Sequence, residues 1–302
     1  MPATLRPRRS LLYMPGSNPR ALDRGRTLPA DGLIIDLEDA VAPGAKDSAR
    51  TIVAAALAEG GYGERELVLR VNAIDTPWGH ADLGAAATMP LAAVLLPKVE
   101  NPDRVVLTVS LLDALGAPEQ LAVWCMLETP LGILNAREIA AASPRLAALV
   151  LGTSDLTKDL HALPTRDRLP LLTPLSLAIL AARAYGLAIL DGVHLDLDDD
   201  EGFVASCRQG RELGFDGKTL IHPKQIAAAN AAFAPTPEEV EWSRRIIAAH
   251  AEAAAAGRGV VLVDGRLIEN LHVENARRLL ALADEIERLP PGNAGQAGAG
   301  LR

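Results

Sequence analysis

The chain has 302 residues, 49% of them hydrophobic and 23% charged, and carries a formal net charge of −8. That length allows one large core or two modest ones, and the acidic balance excludes the basic face of a nucleic-acid binder. There is no secretory segment, no CxxC pair and no apolar span long enough for a membrane, so the sequence reads as a soluble cytoplasmic protein. In chain order, "RPRRS" (6–10) is the only basic cluster, and it predicts a solvated N-terminal arm. After it, short continuous apolar runs recur at 10–14, 32–37, 67–71, 92–99, 121–127, 146–152, 187–193 and 218–222. Continuous rather than alternating runs of this length suit strands buried on both faces. Cys125 lies in one of these runs, where a free cysteine acts as a small hydrophobe.

Helical patterns separate the runs, at 46–59, 101–115, 129–142, 169–186 and 198–214. Asn101-Pro102 and Thr129-Pro130 are N-cap signals with proline at the first helical position. Gly186 and Gly214 are C-cap signals. Strands alternating with helices predict a (β/α)8 barrel over residues 1–230, with a doubly wound open sheet as the alternative. No glycine-rich dinucleotide or P-loop motif supports that alternative. Residues 231–289 predict an extension of helix (236–257), hairpin (258–269) and helix (270–289), packed outside the barrel as a lid or subunit contact. The tail at 290–302 is Gly/Ala/Pro-rich and predicts fraying.

Chemistry in such a barrel sits where the C-terminal ends of the strands converge. The runs end on Asp36, Glu38 and Asp39; on Arg70 and Asn72; on Pro97, Lys98 and Glu100; on Glu128; on Gly152, Thr153 and Asp155; on Asp191 and His194; and on His222 and Lys224. Glu128 ends the most apolar run, yet an unpaired buried carboxylate costs several kcal/mol or takes up a proton. Asp155 follows one strand–helix repeat later, so both carboxylates can reach one point, where they repel unless a cation lies between them. Oxygen ligands without paired histidines favour Mg2+ over Zn2+, with Mn2+ as a substitute. Arg70 needs an anionic partner, either a protein carboxylate or a substrate carboxylate. Lys98 reads as a Schiff-base lysine or as an ion-paired one, and none of the six histidines has metal-ligand spacing.

The segments "RSLLYMPGSNPR", "GLIIDLEDAV", "LVLRVNAIDTPWGHADL", "VLLPKVE", "MLETPLGILNAREIA", "LGTSDLTKDL" and "GFDGKTLIHPKQIAAAN" together resemble the citrate lyase β-subunit-like branch of the HpcH/HpaI aldolases. The resemblance runs from about residue 9 to 288. It implies a barrel of the pyruvate/phosphoenolpyruvate type, a homotrimer or hexamer, and Mg2+-dependent carbon–carbon lyase chemistry between an acyl thioester and a 2-oxo acid. Carried over by motif, Glu128 and Asp155 are the metal ligands, and Arg70 holds the oxo-acid end of the substrate. Glu38 and Asp39 lie near the metal through water; Pro97, Lys98, Gly152 and Thr153 line the substrate pocket; and "YMPGSNPR" lies near the CoA or acyl-carrier arm. Many relatives carry an aspartate at the end of the C-terminal hairpin that reaches a neighbouring subunit's site. Here "RLIEN" places Glu269 there, as a candidate acid/base.

The expected activity is therefore cleavage or condensation of malyl-, methylmalyl- or citramalyl-CoA, yielding an acyl-CoA and glyoxylate or pyruvate. A citrate lyase β subunit working on an acyl-carrier-protein thioester, a malyl-CoA thioesterase and a non-catalytic metal-binding partner protein are the alternatives.

Overall fold

In the computed structural model, residues 6–289 are described. They form two compact units, one spanning Arg8–Phe233 and the other residues 6–7 with 234–289.

The first unit is a closed barrel of eight strands: β1 (Ser10–Pro15), β2 (Gly32–Asp36), β3 (Glu66–Arg70), β4 (Ala93–Leu96), β5 (Ala122–Leu127), β6 (Leu146–Leu151), β7 (Ala188–Asp191) and β8 (Gly217–Leu220). Each strand pairs in parallel with the next, and β1 closes on β8. The apolar runs are continuous because each strand is covered on both sides. Alternate residues fill two separate cores. Leu11, Ile34, Val68, Leu95, Trp124, Met126, Val150 and Leu190 pack together inside the barrel. Their neighbours in sequence, among them Leu12, Ile35, Leu69, Val94, Cys125, Leu149 and Ile189, pack with the surrounding helices instead.

The helices at Lys46–Glu59, Pro102–Ala114 and Asp200–Leu213 lie where the sequence places them. Asn101 and Asp199 cap the last two by accepting from Arg104 N and Gly202 N, and Gly214 ends the third at φ 109°. The helix expected over 129–142 is instead two, Pro130–Leu134 and Ala136–Ala140. The break is at Asn135, whose side-chain amide donates to Glu100 O at 2.7 Å. That bond ties the chain to the β4 loop and turns it there.

The N-terminal basic segment is not the solvated arm its composition predicts. Arg8 pairs with Glu66 through Nε at 2.7 Å and lies 5.3 Å over the ring of Trp124. Arg9 holds Asp31 with two side-chain bonds of 2.7 and 2.8 Å and a main-chain bond of 2.8 Å. Both guanidiniums are mostly buried, so this basic stretch belongs to the barrel wall.

The second unit consists of the helix Pro237–Ala255, the hairpin β9 (Val261–Val263) and β10 (Arg266–Ile268), and the helix Asn270–Arg288. Thr236 and Glu239 form a reciprocal capping box on the first helix. Asp264 and Gly265 turn the hairpin with φ of 49° and 76°, the left-handed pair that a two-residue Asp-Gly loop adopts. Its small core is Ile246, Ile268, Val273 and Ala276. The frayed tail expected at 290–302 lies outside the described residues.

Candidate active site at the barrel mouth

The inside parity of the strands decides which strand-end side chains meet. Ile34 points inward on β2, and Asp36 shares its parity; Val68 and Arg70 do the same on β3. Glu128 follows Trp124 and Met126, and Gly152 follows Ala148 and Val150. Asp36 and Arg70 are also direct partners in the β2–β3 register. Arg70 binds Asp36 in a fork, Nε to Oδ1 at 2.8 Å and Nη2 to Oδ2 at 2.6 Å. Its Nη1 lies 3.1 Å from Glu38 and 3.3 Å from Asp39. The guanidinium stacks 5.0 Å over the Tyr13 ring, which covers its face.

Asp36 also accepts from the main-chain N–H groups of Glu38 and Ala40, at 2.8 and 3.0 Å. Lys46 reaches back from its helix and donates to the carbonyls of Leu37 and Glu38, at 2.9 and 2.8 Å. The acidic turn after β2 is thus held from both sides. Burial pushes the Glu38 carboxyl up, against the pull of Arg70 and Lys98. Burial acts on Asp39 in the same direction, but the hydrogen bond with Glu38 and the charges of Arg70 and Lys98 bring it below the usual range.

Glu128 is 2% exposed. Its Oε1 accepts from Lys98 N at 2.8 Å. No donor among the described residues bonds its Oε2. Burial pushes its carboxyl up to about 7, partly offset by the Lys98 N–H and ammonium. Gly152 makes the room: a Cβ there would lie 2.3 Å from Glu128 Cβ and 2.4 Å from Oε2. Thr153 is spaced by the same device, since a Cβ at Gly192 would lie 2.3 Å from its Oγ1. Asp155 sits in the first turn of the helix Thr153–Asp159, with Lys158 at 3.4 Å on its outer side. Lys98 joins the parts, with Nζ 2.9 Å from Glu38 Oε1 and 3.9 Å from Asp155 Oδ2.

The structure therefore links Glu38, Asp39, Arg70, Lys98, Glu128, Gly152 and Asp155, all named from sequence. Sequence reasoning named Asp36 as a strand end without giving it a role, and gave none to Tyr13, Lys46 or Gly192. Inward parity was the available signal for Asp36. Nothing in the local sequence marks Lys46 or Gly192. Pro97 and Thr129 line a cavity of about 290 Å3 beside Lys98, walled by Ile74, Leu96 and Val99, with Arg104 among its polar residues.

Three strand-end groups do not join this site. Asp191 has the outward parity and lies fully buried beneath the helix Asp200–Leu213, bonded to Arg168 and Lys218 at 2.8 Å each. His222 caps the turn Pro223–Gln225, accepting from Lys224 N through Nδ1. His194 packs its ring edge on Phe203, with centroids 5.9 Å apart. Glu269 is on the second unit, where it ends the hairpin and its N–H donates to His272 Nδ1 at 3.1 Å.

Around the mouth, the carboxylates of Asp36, Glu38, Asp39, Glu128 and Asp155 outnumber the cations Arg70, Lys98 and Lys158. The described residues contain no ready cage of three or more His, Cys, Asp or Glu ligands. Two oxygen ligands beside an anionic excess fit a hard divalent ion, which keeps positions for water and substrate.

A (β/α)8 barrel with carboxylates and an arginine at its C-terminal mouth is the scaffold of an aldolase- or lyase-type enzyme. The family model of HpcH/HpaI aldolase/citrate lyase matches residues 9–223. The chain belongs to that family and is an enzyme of it. It is 49% identical over 281 residues to a (3S)-malyl-CoA thioesterase of Cereibacter sphaeroides, covering 93% of this chain and 96% of that one. It is 37% identical over 285 residues to the citrate lyase subunit beta of Leuconostoc mesenteroides subsp. cremoris, covering 92% and 93%. Among solved structures, CitE from Mycobacterium tuberculosis in complex with magnesium, acetoacetate and coenzyme A matches with a TM-score of 0.76 and 32% identity, over 94% of this chain and 100% of that one. No helix among the described residues is long and apolar enough to cross a membrane.

Proposed function

We propose that this enzyme acts on a malyl-type CoA thioester and hydrolyses it to the free acid and CoA, using Mg2+ held by Glu128 and Asp155. The observation that carries the reading is the anionic excess around Glu128 and Asp155, set beside a fixed arginine. The acyl group and the reaction are supported by the 49% identity to malyl-CoA thioesterases, against 36–37% to citrate lyase β subunits.

When bound, Mg2+ supplies Lewis-acid stabilisation of the negative charge that develops on substrate oxygen. The chain's own residues do the rest. Asp36 fixes Nε and Nη2 of Arg70, so the acid end of the substrate is oriented by Nη1 in exchange for its present partners Glu38 and Asp39. Tyr13 shields the guanidinium face from water. Lys98 N–H holds Glu128 in place, and Gly152 keeps the space it occupies. Pro97, Gly152 and Thr153 belong to the wall of the acyl site in this reading. Glu269, contributed by a neighbouring subunit of a homotrimer or hexamer, is the proposed proton carrier. Mn2+ can replace Mg2+, and the enzyme works in the cytoplasm.

A second reading is favoured by the family match and by the citrate lyase relatives: cleavage of the carbon–carbon bond, giving acetyl-CoA and glyoxylate from malyl-CoA. A citrate lyase subunit would instead require an acyl-carrier protein. One assay separates these. The full chain is incubated with malyl-, methylmalyl- and citramalyl-CoA, with Mg2+ or with EDTA, and free thiol and 2-oxo acid are measured separately. Mg2+-dependent thiol without oxo acid is the expected result. Oxo acid without thiol establishes the lyase, and no turnover of any of the three overturns both.

A further inference from the structure

Lys98 has a backbone that its side chain does not explain. Its φ is 49°, in the left-handed region that a residue with a Cβ enters at a cost. The conformation aims its N–H at Glu128 Oε1, at 2.8 Å. The same residue sends its ammonium across the mouth, 2.9 Å from Glu38 Oε1 and 3.9 Å from Asp155 Oδ2. One residue thus touches both proposed metal ligands, one through the main chain and the other through the side chain. The main-chain contact serves a cation at Glu128. The ammonium opposes one, because it places a positive charge within reach of the second ligand.

We propose that Lys98 is a positioning residue that sets the strength of the divalent-cation site, its N–H aligning Glu128 while its ammonium competes with the cation for Asp155. The inference rests on the proposed Mg2+ site at Glu128 and Asp155. Its consequence runs against the usual result of deleting an active-site residue. Replacing the ammonium by an uncharged chain of similar length keeps the main-chain N–H on Glu128 and removes the competing charge. Mg2+ then binds more tightly. Glu38 gives the ammonium a second carboxylate to rest on, so Lys98 can yield Asp155 without being left unpaired.

The test is calorimetric titration of Mg2+ into the substrate-free full chain for the parent, Lys98→Met and Lys98→Arg. Lys98→Met is expected to bind Mg2+ about tenfold more tightly, and Lys98→Arg within about twofold of the parent. Equal or weaker binding by a folded Lys98→Met overturns the proposal. Absence of Mg2+ binding by the parent overturns the metal site itself, which distinguishes the two failures. A second measurement needs no substitution. The lysines of the parent are reductively methylated with 13C-formaldehyde, and the methyl signals are followed as Mg2+ is added. A shift at Lys98, with the exposed Lys224, which pairs with Asp200, unmoved, supports the competition. A Lys98 signal unchanged at saturating Mg2+ overturns it.

Discussion

Two charge clusters sit on this barrel, and they differ in sign and in closure. At the mouth, Arg70 and Lys98 face five carboxylates, and one carboxylate oxygen of Glu128 has no donor among the described residues. Under the helix Asp200–Leu213, a single carboxylate, Asp191, faces two cations, Arg168 and Lys218. There, Asp191 has both oxygens bonded and also accepts from Gly192 N. Both clusters use strand-end residues one barrel position apart in kind, an inward and an outward parity. The inward set is left with an excess that a ligand can complete. The outward set is complete in itself and holds the wall together. Burial alone therefore does not mark a functional charge; the imbalance does.

The largest effect expected is at Glu128. Glu128→Gln keeps the shape and the Lys98 N–H contact but removes the charge on which the anionic excess depends. Turnover with Mg2+ should fall on the order of 10²–10³-fold, while the thermal melt stays within a few degrees of the parent. Near-normal turnover would remove Glu128 from the chemistry. Gly152→Ala tests the same group without touching it. A new Cβ 2.3 Å from Glu128 Cβ must displace that side chain, and a displacement of about 1 Å is expected to cost about a hundredfold in kcat. If the rate survives, Glu128 has more freedom than the close approach allows.

At the second cluster the effect should appear in stability and not in chemistry. Asp191→Asn leaves Arg168 and Lys218 buried without their counter-ion, at a cost of about 3–5 kcal/mol, read by urea denaturation. Turnover per folded molecule should stay near that of the parent. The pH dependence has a definite sign. Burial pushes the Asp191 carboxyl up, but Lys218 and Arg168 outweigh it and hold it below the usual value. The folded state then binds the proton less readily than the unfolded chain. Asp191 contributes its stability above the ordinary carboxylate range, and that contribution is lost as pH falls through the lowered value. Parent and Asp191→Asn should converge in stability at the acid end, and parallel curves would show that Asp191 is not ionised.

This contrast also explains how much of the molecule is legible in sequence. The strands are legible because two-sided burial writes each as an unbroken apolar run, and the carboxylates at their ends stand out against it. Glu128 and Arg70 are visible for that reason. Asp36 is harder, since it stands among three acidic residues and only the parity with Ile34 separates it from Glu38 and Asp39. Asp191 is misleading, because a strand-end aspartate looks the same whether it faces the mouth or the helices. The partners that settle it, Arg168 and Lys218, come from other elements of the chain. The basic run at 6–10 misleads in the opposite way, since Glu66 and Asp31 are far from it in sequence. The short helices Gly79–Ala86 and Ile226–Phe233 are Ala-rich and carry little apolar periodicity, so tertiary packing and not a local pattern fixes them.

The smallest effect separates the mouth from its rim. Lys158 also pairs with Asp155, at 3.4 Å, but its side chain is 69% exposed. An exposed pair one turn apart on a helix contributes little and is screened by salt. Lys98 contacts the same carboxylate while tied to Glu38 and Glu128. If position and not mere charge matters, Lys158→Ala should leave kcat and Mg2+ affinity within about twofold and the thermal melt unchanged. Should Lys158→Ala change Mg2+ affinity as much as Lys98→Met, general electrostatics around Asp155 would govern the site. The geometry of the β4 loop would then have no special part in it.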